Sequence, residues 1–243
     1  MRQKSDFIRH LAILRKKLVI YLFCFAVVFV LCIAFSSPLF ALIAEPLLAL
    51  LPAQHHLVAT QVASPVIVPI KLAFWLSVLS TIPILFWQIW RFALPGLYKN
   101  ETHLFVLLLV LSLGLFYAGL LFAYFIIIPV LLHFFISVMP EQVFMMADIS
   151  HYLSFVIRLA IICGLVFEIP VFMLGLLAIE SITLTQLRTK RPYVIVGCFV
   201  VAMLITPPDA VSQFLLALPM WVLFESGLLL GYLIYKNRKP ARE

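Results

Sequence analysis

Two glutamates lie inside apolar stretches of this sequence, where a carboxylate is costly unless it has a task. Glu168 lies in "GLVFEIPV", two residues before Pro170, and Glu225 lies in "WVLFESGLLL". A carboxyl group in such a segment predicts a polar cavity or a partner-docking site. The alternative for Glu168 is a protonated carboxyl that hydrogen-bonds backbone groups freed by Pro170. Glu225 is predicted either to share the layer of Glu168 or to be structural.

A third glutamate, Glu101, ends "FWQIWRFALPGLYKNE" just after a Pro-Gly turn. Its neighbours Arg91 and Lys99 give this loop a positive character, so the acid is out of place there. The sequence has no nucleotide-binding GxxxxGK[ST] loop, no HExxH and no G-x-S-x-G. We therefore expect no enzyme activity and no cofactor. His55-His56 is a weak metal candidate, and the four cysteines are expected to be free thiols buried in packing or lipid.

The elements that position these residues are apolar helices. The chain has 243 residues, of which 65% are hydrophobic and only 11% charged, far fewer charges than in soluble domains. Several apolar runs reach the ~20 residues that cross a bilayer as a helix. The sequence therefore predicts an all-α, polytopic membrane bundle with six spans, of which the fifth and sixth are short. The predicted spans are 18–36, 66–90, 104–129, 152–179, 193–206 and 211–235.

Lysine and arginine alternate strictly between the segments that connect these spans. The N-terminal tail holds six, the segments 91–103 and 180–192 hold two and three, the C-terminal tail holds four, and the other loops hold none. This pattern predicts that both termini face the cytoplasm. It also explains the net charge of +7 as a topology signal, which excludes nucleic acid as the partner. The predicted divisions are a tail helix (1–17), a membrane domain (18–235) and a tail (236–243).

Two further features set expectations for the membrane region. Lys71 and Arg158 lie inside predicted spans, and each is expected either to snorkel to the interface or to pair with an acid such as Asp148, Asp209 or Glu45. The fifth span has only 13 apolar residues between 193 and 205, so it is expected to thin the bilayer or to pack behind its neighbours. Bends are expected at the prolines of spans 3, 4 and 6, namely Pro129, Pro170 and Pro219.

The segment before the first span, "DFIRHLAILRKKL", predicts a basic amphipathic helix at the membrane surface. Phe7, Leu11, Leu14 and Leu18 recur at helical spacing on one face. Ile13 falls well away from that face, beside Asp6 and His10. An apolar residue at this position is out of pattern.

Taken together, these segments resemble the TatC family, the multispanning subunit of the twin-arginine protein translocase. The resemblance rests on six stretches in this order: "HLAILRKKL" (10–18), "SPVIVPIKL" (64–72), "WRFALPGLYKNE" (90–101), "LVFEIPV" (165–171), "LRTKRPY" (187–193) and "TPPDAVSQFLLALPMWVLFE" (206–225). It implies a receptor in the bacterial cytoplasmic membrane that binds twin-arginine signal peptides of folded cargo. It also implies recruitment of the single-span partners TatB and TatA, self-association in a larger complex, and transport driven by the proton gradient.

The resemblance also implies site residues. The signal-peptide site would comprise Glu101 with Phe92, Leu97, Tyr98, Lys99, Arg15 and His10. A polar patch for partner docking would comprise Glu168, Met203, Thr206 and Gln213. Pro46 and Asp209, in the outer loops, would be structural, with Asp209 suited to cap the sixth span.

The sequence departs from the family at one site position. The family typically reads H-L-x-E-L-R, whereas this chain reads His10-Leu11-Ala12-Ile13-Leu14-Arg15. The missing acid explains the misplaced Ile13. We expect Glu101 to bind one arginine and the other to be held by backbone carbonyls, by Gln88 or Asn100, or by Asp6.

Two other functions compete with this interpretation. A proton-coupled solute transporter would use Glu168, Glu225, Arg158 and Lys71 as a relay. A purely structural membrane scaffold would need none of these groups.

Overall fold

The computed structural model describes residues 2–48, 58–93, 102–138, 148–179, 181–206 and 209–235, and it is helical in these ranges apart from short turns and connecting residues and one isolated bridge. The helices are α1 (Arg2–Ala34), α2 (Ser36–Leu48), α3 (Ser64–Ala93), α4 (Thr102–Phe122), a π-helical turn (Ala123–Ile127), α5 (Ile128–Ser137), α6 (Ile149–Phe167), α7 (Ile169–Ala178), α8 (Leu184–Thr189), α9 (Arg191–Ile205) and α10 (Ala210–Tyr235). The predicted all-α membrane bundle is confirmed.

Five segments of the described chain are long and apolar enough to cross a membrane. They are Lys17–Ala34, Ser64–Ile89, Val106–Ser137, Ile149–Ala178 and Ala210–Ile234. The predicted fifth span is the shorter helix α9, which has 15 residues and a length of about 22 Å. Because α9 packs along the much longer α10, it is held in the bundle despite its length.

The predicted tail helix and the first span form one continuous helix, α1. It packs antiparallel on α3, and Phe25 and Phe29 meet Phe74 edge to face across the contact. Two hydrogen bonds also join the described residues of these helices, from Thr81 Oγ1 to Tyr21 Oη at 3.2 Å and from Gln88 Nε2 to the carbonyl oxygen of Lys17. The pairing fixes how far α1 is displaced along α3.

The third span continues past the predicted end at residue 129. The π-helical turn and α5 extend it to Ser137, with Pro129 in the first turn of α5. Proline lacks an N–H and clashes with the preceding turn of a regular α-helix. The wider π turn just before it accommodates the ring, so the helix bulges at Pro129 and does not end there.

The fourth span divides at Glu168 into α6 and α7. Glu168 ends α6, and Pro170 lies in the first turn of α7, where a missing N–H is tolerated. By contrast, α10 continues through Pro219 as one helix of 26 residues, so the prediction of a short sixth span is wrong. Pro46 lies inside α2, a short helix in the segment between the first two candidate spans, where the sequence predicted an outer loop.

Glycines set the closest contacts between helices. A Cβ at Gly119 of α4 would lie 2.7 Å from the carbonyl oxygen of Cys163 on α6. On α10, Gly227 faces Pro170 and Met173 of α7, and Gly231 faces Leu177. The Gly-x-x-x-Gly pattern therefore serves contacts within the chain, because small residues let helix backbones approach.

The bundle has two ends that differ in charge. The basic end, where the connecting segments hold lysines and arginines, carries the start of α1, the end of α3, α8 and the end of α10. The opposite end, which we call the neutral end because its connecting segments hold no lysine or arginine, carries α2 and the starts of α3, α6 and α10. At the neutral end, Tyr124 and Tyr152 donate hydrogen bonds to the carbonyl oxygens of Leu42 and Ile43 and so hold α2 against the bundle.

Candidate functional site

The predicted signal-peptide site falls only partly on described residues. Arg15 lies on α1 with its side chain exposed. His10 belongs to α1 and Phe92 to α3, but the description of these two residues covers their backbone alone. The remaining predicted members lie outside the described residues: Leu97, Tyr98, Lys99 and Glu101.

The register of α1 on α3 brings two parts of this predicted site to one level. Gln88 Nε2 donates a hydrogen bond to the carbonyl oxygen of Lys17 at 3.2 Å. The helices are antiparallel, so one turn further toward the basic end reaches Phe92 on α3 and Ile13 on α1. Ile13 of α1 and Phe92 of α3 therefore occupy neighbouring positions at the basic end.

Glu168 is held by a partner that the sequence analysis missed. Ser112 of α4 donates a hydrogen bond from Oγ to Glu168 Oε2 at 2.6 Å, and Ser112 itself is buried. The other carboxyl oxygen, Oε1, is buried and has no hydrogen-bond partner among the described residues. An unpaired buried oxygen is costly. Glu168 is therefore oriented by α4 and retains acceptor capacity for a further donor.

Glu225 has a different partner. Its Oε2 lies 2.7 Å from Arg191 Nη2 at the start of α9, although Gly227 faces Pro170 and so places Glu225 within about one turn of Glu168 in depth. The two glutamates share a level but face different helices. Glu225 is therefore level with Glu168, but its carboxylate pairs with Arg191 and no described contact joins it to Glu168.

Three of the four residues predicted to dock partners lie at the neutral end, where α9 ends and α10 begins, whereas Glu168 lies apart from them at the end of α6. Met203 is 54% exposed, whereas Thr206 is buried and donates a hydrogen bond to the carbonyl oxygen of Ala202. Gln213 is half-buried in the first turn of α10. Of these three residues, Met203 and Gln213 therefore present side-chain surface to a docking helix, and Thr206 does not.

Asp209 lies at the start of α10. Its Oδ2 accepts a hydrogen bond from the backbone N–H of Ser212 at 2.7 Å, which is the geometry of an N-cap. Ser212 Oγ is buried without a partner among the described residues, so a second polar group lies beside this turn.

In the described part of the chain, neither Lys71 nor Arg158 forms an ion pair with the acids predicted as its partners. Lys71 Nζ donates to Ser154 Oγ at 2.6 Å, and Arg158 is exposed on α6. The single ion pair in the described part of the chain is Arg191–Glu225. The same ranges hold no group of three or more His, Cys, Asp or Glu side chains placed to bind a metal, and His55-His56 lies outside them.

Asp148 joins two segments at the neutral end. Its Oδ1 accepts from the N–H groups of Ser150 and His151 at the start of α6, and its Oδ2 accepts from the hydroxyl and N–H of Thr60. These hydrogen bonds, the Thr60 hydroxyl first, hold the pKa of Asp148 well below its usual range. The carboxylate therefore stays charged and fastens residues 58–60 to α6.

The sequence carries a signal for the roles of Asp148 and Ser112, which the sequence analysis did not assign. Asp148 directly precedes an apolar helical run, which is the position of an N-cap. Ser112 is a lone hydroxyl within "LLLVLSLGLF", and polar side chains in spans commonly bond across helices. Neither signal identifies the partner.

Comparison with known proteins gives a consistent match over nearly the whole chain. Residues 9–219 match the family model described as Sec-independent protein translocase protein (TatC). A relative of that name from Azotobacter chroococcum is 43% identical over 98% of this chain and 94% of its own length. The protein of the same name from Escherichia coli strain K12 is 43% identical over 91% of this chain and 86% of its own.

Solved structures match as well. A crystal structure of the twin arginine translocase receptor TatC aligns with a TM-score of 0.80 at 33% identity, covering 92% of this chain and 98% of that one. A second, of the receptor in DDM, aligns with a TM-score of 0.82 at 33% identity, over 91% and 99%.

Proposed function

This chain belongs to the TatC family of Sec-independent protein translocase proteins, and we infer from that membership that it is the receptor subunit of a twin-arginine translocase. It is a multi-pass membrane protein and a transport component, not an enzyme. The family match over residues 9–219 is the observation that carries this conclusion. A solute transporter is not favoured, since Glu225 and Lys71 bond to Arg191 and Ser154 and do not connect to Glu168.

The ligand we propose is the twin-arginine signal peptide, bound at the basic end. Glu101 pairs with one arginine, because a carboxylate matches the guanidinium fork in two parallel hydrogen bonds. The register of α1 on α3 supports this assignment, because it places Ile13 and Phe92, from the two parts of the proposed site, at the same level. Lone cationic ligands are repelled by the lysines and arginines around the site, which favours only peptides placed to reach the acid.

Ile13 stands where the family has a second acid, so the second arginine needs a neutral acceptor. Gln88 is our first choice, because it lies at the α1–α3 contact one turn from Ile13 and its Nε2 is already anchored on Lys17. That bond turns one end of the amide toward α1 and gives the oxygen a fixed place. Asn100, Asp6 and backbone carbonyls are the other acceptors.

Peptide binding to the full-length purified protein tests the site. Replacing Glu101→Gln removes the charge and should weaken a twin-arginine peptide roughly ten- to hundredfold, the usual value of a charge-assisted hydrogen bond. Glu225→Gln is the matched control, since that acid also lies toward the basic end but is paired with Arg191. Ile13→Glu should tighten binding. Unchanged affinity in Glu101→Gln would overturn the assignment.

We further propose that the single-span partners TatB and TatA dock along α9 and α10 near the neutral end. Exposed apolar residues follow one face of α9 at helical spacing, and Met203 continues that surface toward Gln213; these residues are Tyr193, Val196, Val200 and Leu204. Site-specific crosslinking from Met203 to a partner helix tests this. A reactive group at Val110, exposed on α4, is the control and should not crosslink.

Bilayer thinning is the transport step we propose for short α9. Arg191 begins α9 opposite Glu225, yet α10 continues for ten more residues to Tyr235, about 15 Å. The cations at the start of α9 therefore lie about 15 Å deeper than the end of α10. Lipid headgroups that bind these cations make the bilayer thinner there, at a modest free-energy cost per ångström of thinning. Lengthening α9 by four apolar residues should impair export, and intact export would contradict this step.

The orientation we propose has both termini in the cytoplasm of a bacterial cell, because the connecting segments at the basic end carry the lysines and arginines. Reporter fusions at residues 54 and 186 test it, since the first should report the outer side and the second the cytoplasm. The opposite result at both positions would reverse the orientation.

A further inference from the structure

Two cations lie inside the membrane region near the neutral end. Lys71 is seven residues into α3 and Arg158 is nine residues into α6, so they lie about 10 and 14 Å from the starts of these helices. Both helices start at the neutral end, and both residues fall within candidate membrane spans. Charges at such depth are expensive unless an anion compensates them.

The structure places these two cations on one polar stripe. Lys71 Nζ reaches across to Ser154 Oγ at 2.6 Å. Arg158 follows Ser154 by four residues and His151 precedes it by three, and these spacings bring side chains to the same face of a helix. The stripe therefore runs along α6 from the neutral end into the membrane region.

The stripe lies beside an apolar seam where α3 and α6 pack. Val68 and Leu72 of α3 bury their side chains against Leu153 and Ile157 of α6. The seam keeps the two helices at a fixed separation, so the distance between the lysine and the arginine is set by packed backbone. A site held this way needs little rearrangement to receive a ligand.

No acid in the described ranges forms an ion pair with either cation, and Glu45 of the neighbouring helix α2 acts instead on Tyr124. The one ion pair in the described ranges, Arg191–Glu225, lies toward the basic end. The acid nearest to Arg158 in sequence, Asp148, accepts hydrogen bonds from Thr60 and from the start of α6. Ser154 is neutral and donates its own proton to the carbonyl oxygen of Ser150. The stripe thus carries two positive charges whose counterion comes from outside the described chain.

We propose that this stripe binds the phosphate group of an anionic phospholipid from the leaflet at the neutral end. The guanidinium of Arg158 and the ammonium of Lys71 both bond well to phosphate oxygens. Arg158 is exposed on the surface of the bundle, where lipid is the solvent. Exposed apolar side chains of α3 flank Lys71 and offer contact to the acyl chains: Ile67, Ile70 and Phe74.

Charge selects the class of lipid. A zwitterionic headgroup brings an ammonium into a site with two cations and no described acid, so its phosphate gains less than that of a singly anionic headgroup. A carboxylate on a second membrane helix would also balance the charge. The lipid is favoured because the stripe begins at His151, near the start of α6, so a headgroup phosphate can enter it from the neutral end.

Photocrosslinking in vesicles tests the site in the full-length chain. A benzophenone amino acid at Ile67, one turn from Lys71, is activated in vesicles of equal phosphatidylglycerol and phosphatidylcholine, and mass spectrometry gives the ratio of lipids in the adducts. The same residue at Phe125, 67% exposed on the third span, reports the bulk ratio.

We expect phosphatidylglycerol to be enriched roughly 25-fold at residue 67 and not at residue 125, since each of the two cations favours anionic lipid about fivefold near a membrane surface. Arg158→Gln should reduce the enrichment roughly fivefold, and Arg158→Lys should retain most of it. A bulk ratio at residue 67, or an enrichment that Arg158→Gln leaves unchanged, overturns the proposal. Crosslinks from residue 67 to a second copy of the chain also overturn it. Signal-peptide affinity is not needed for any of these readouts.

Discussion

Gly119 is the residue at which a single methyl group should report most directly on how this bundle is built. A Cβ at this position would lie 2.7 Å from the carbonyl oxygen of Cys163 and 3.0 Å from the Cα of Gly164. Ordinary van der Waals contact for a Cβ begins near 3.4 Å. Both neighbours are backbone atoms of α6, so no side chain can rotate away. Gly119→Ala must therefore move α4 away from α6 by several tenths of an ångström.

The magnitude follows from comparison with a second glycine on the same helix. Alanine favours a helix over glycine by about 1 kcal/mol, and overpacking a tight contact costs about 1–3 kcal/mol. Gly114 of α4 has open space where its Cβ would be, so Gly114→Ala has only the first term. The propensity term cancels between the two variants. Gly119→Ala should therefore be about 1–3 kcal/mol less stable than Gly114→Ala.

Thermal unfolding of the purified chain in detergent, followed by circular dichroism, measures this difference. For a chain of this size about 1 kcal/mol corresponds to roughly 2–4 °C, so the two melting temperatures should differ by roughly 2–12 °C. Ser112 lies seven residues from Gly119, on the same face of α4. Moving α4 away from α6 should therefore weaken the hydrogen bond from Ser112 to Glu168, and export should fall in Gly119→Ala. Equal melting temperatures would refute the close α4–α6 contact.

Three further outcomes are expected. Ser112→Ala should reduce export as Glu168→Ala does, and the double variant should be no worse than Glu168→Ala, because each change removes the hydrogen bond from Ser112 Oγ to Glu168 Oε2; additive losses in a transport assay would contradict this. Asp148→Asn should keep the cap of α6 but speed hydrogen exchange near residue 60. Since the pKa of Asp148 is lowered in the folded chain, its stabilisation is present above the usual carboxyl pKa of about 4 and is lost as pH falls below it. The variant should therefore differ from the parent equally at pH 5 and pH 8. A double-mutant cycle on Arg191 and Glu225, 47% and 30% exposed, should give a coupling of about 0.2–1 kcal/mol, and a larger value would show a pair shielded from solvent.

The amino-acid sequence was enough to predict the class of fold and the approximate bounds of most membrane spans. An apolar run of ~20 residues has few alternatives to a membrane helix, because every backbone polar group must be satisfied within the segment. Helix α10 was predicted as 211–235 and begins at Ala210. The third span was predicted too short, since proline normally ends a helix and nothing in the local sequence announces the π turn that carries Pro129. The family, and with it the function, also followed from ordered motifs.

The tertiary structure alone decided which polar groups meet. Helical periodicity gives the face on which Glu168 or Glu225 lies, but the partner depends on how far one helix is displaced along another and how it is rotated. That register is set where backbones approach, at Gly119 on α6 and at Gly227 and Gly231 on α7. Close packing there leaves one arrangement without clashes. Glu168 consequently receives Ser112 of α4, and Glu225 receives Arg191 of α9, at nearly the same depth in the membrane.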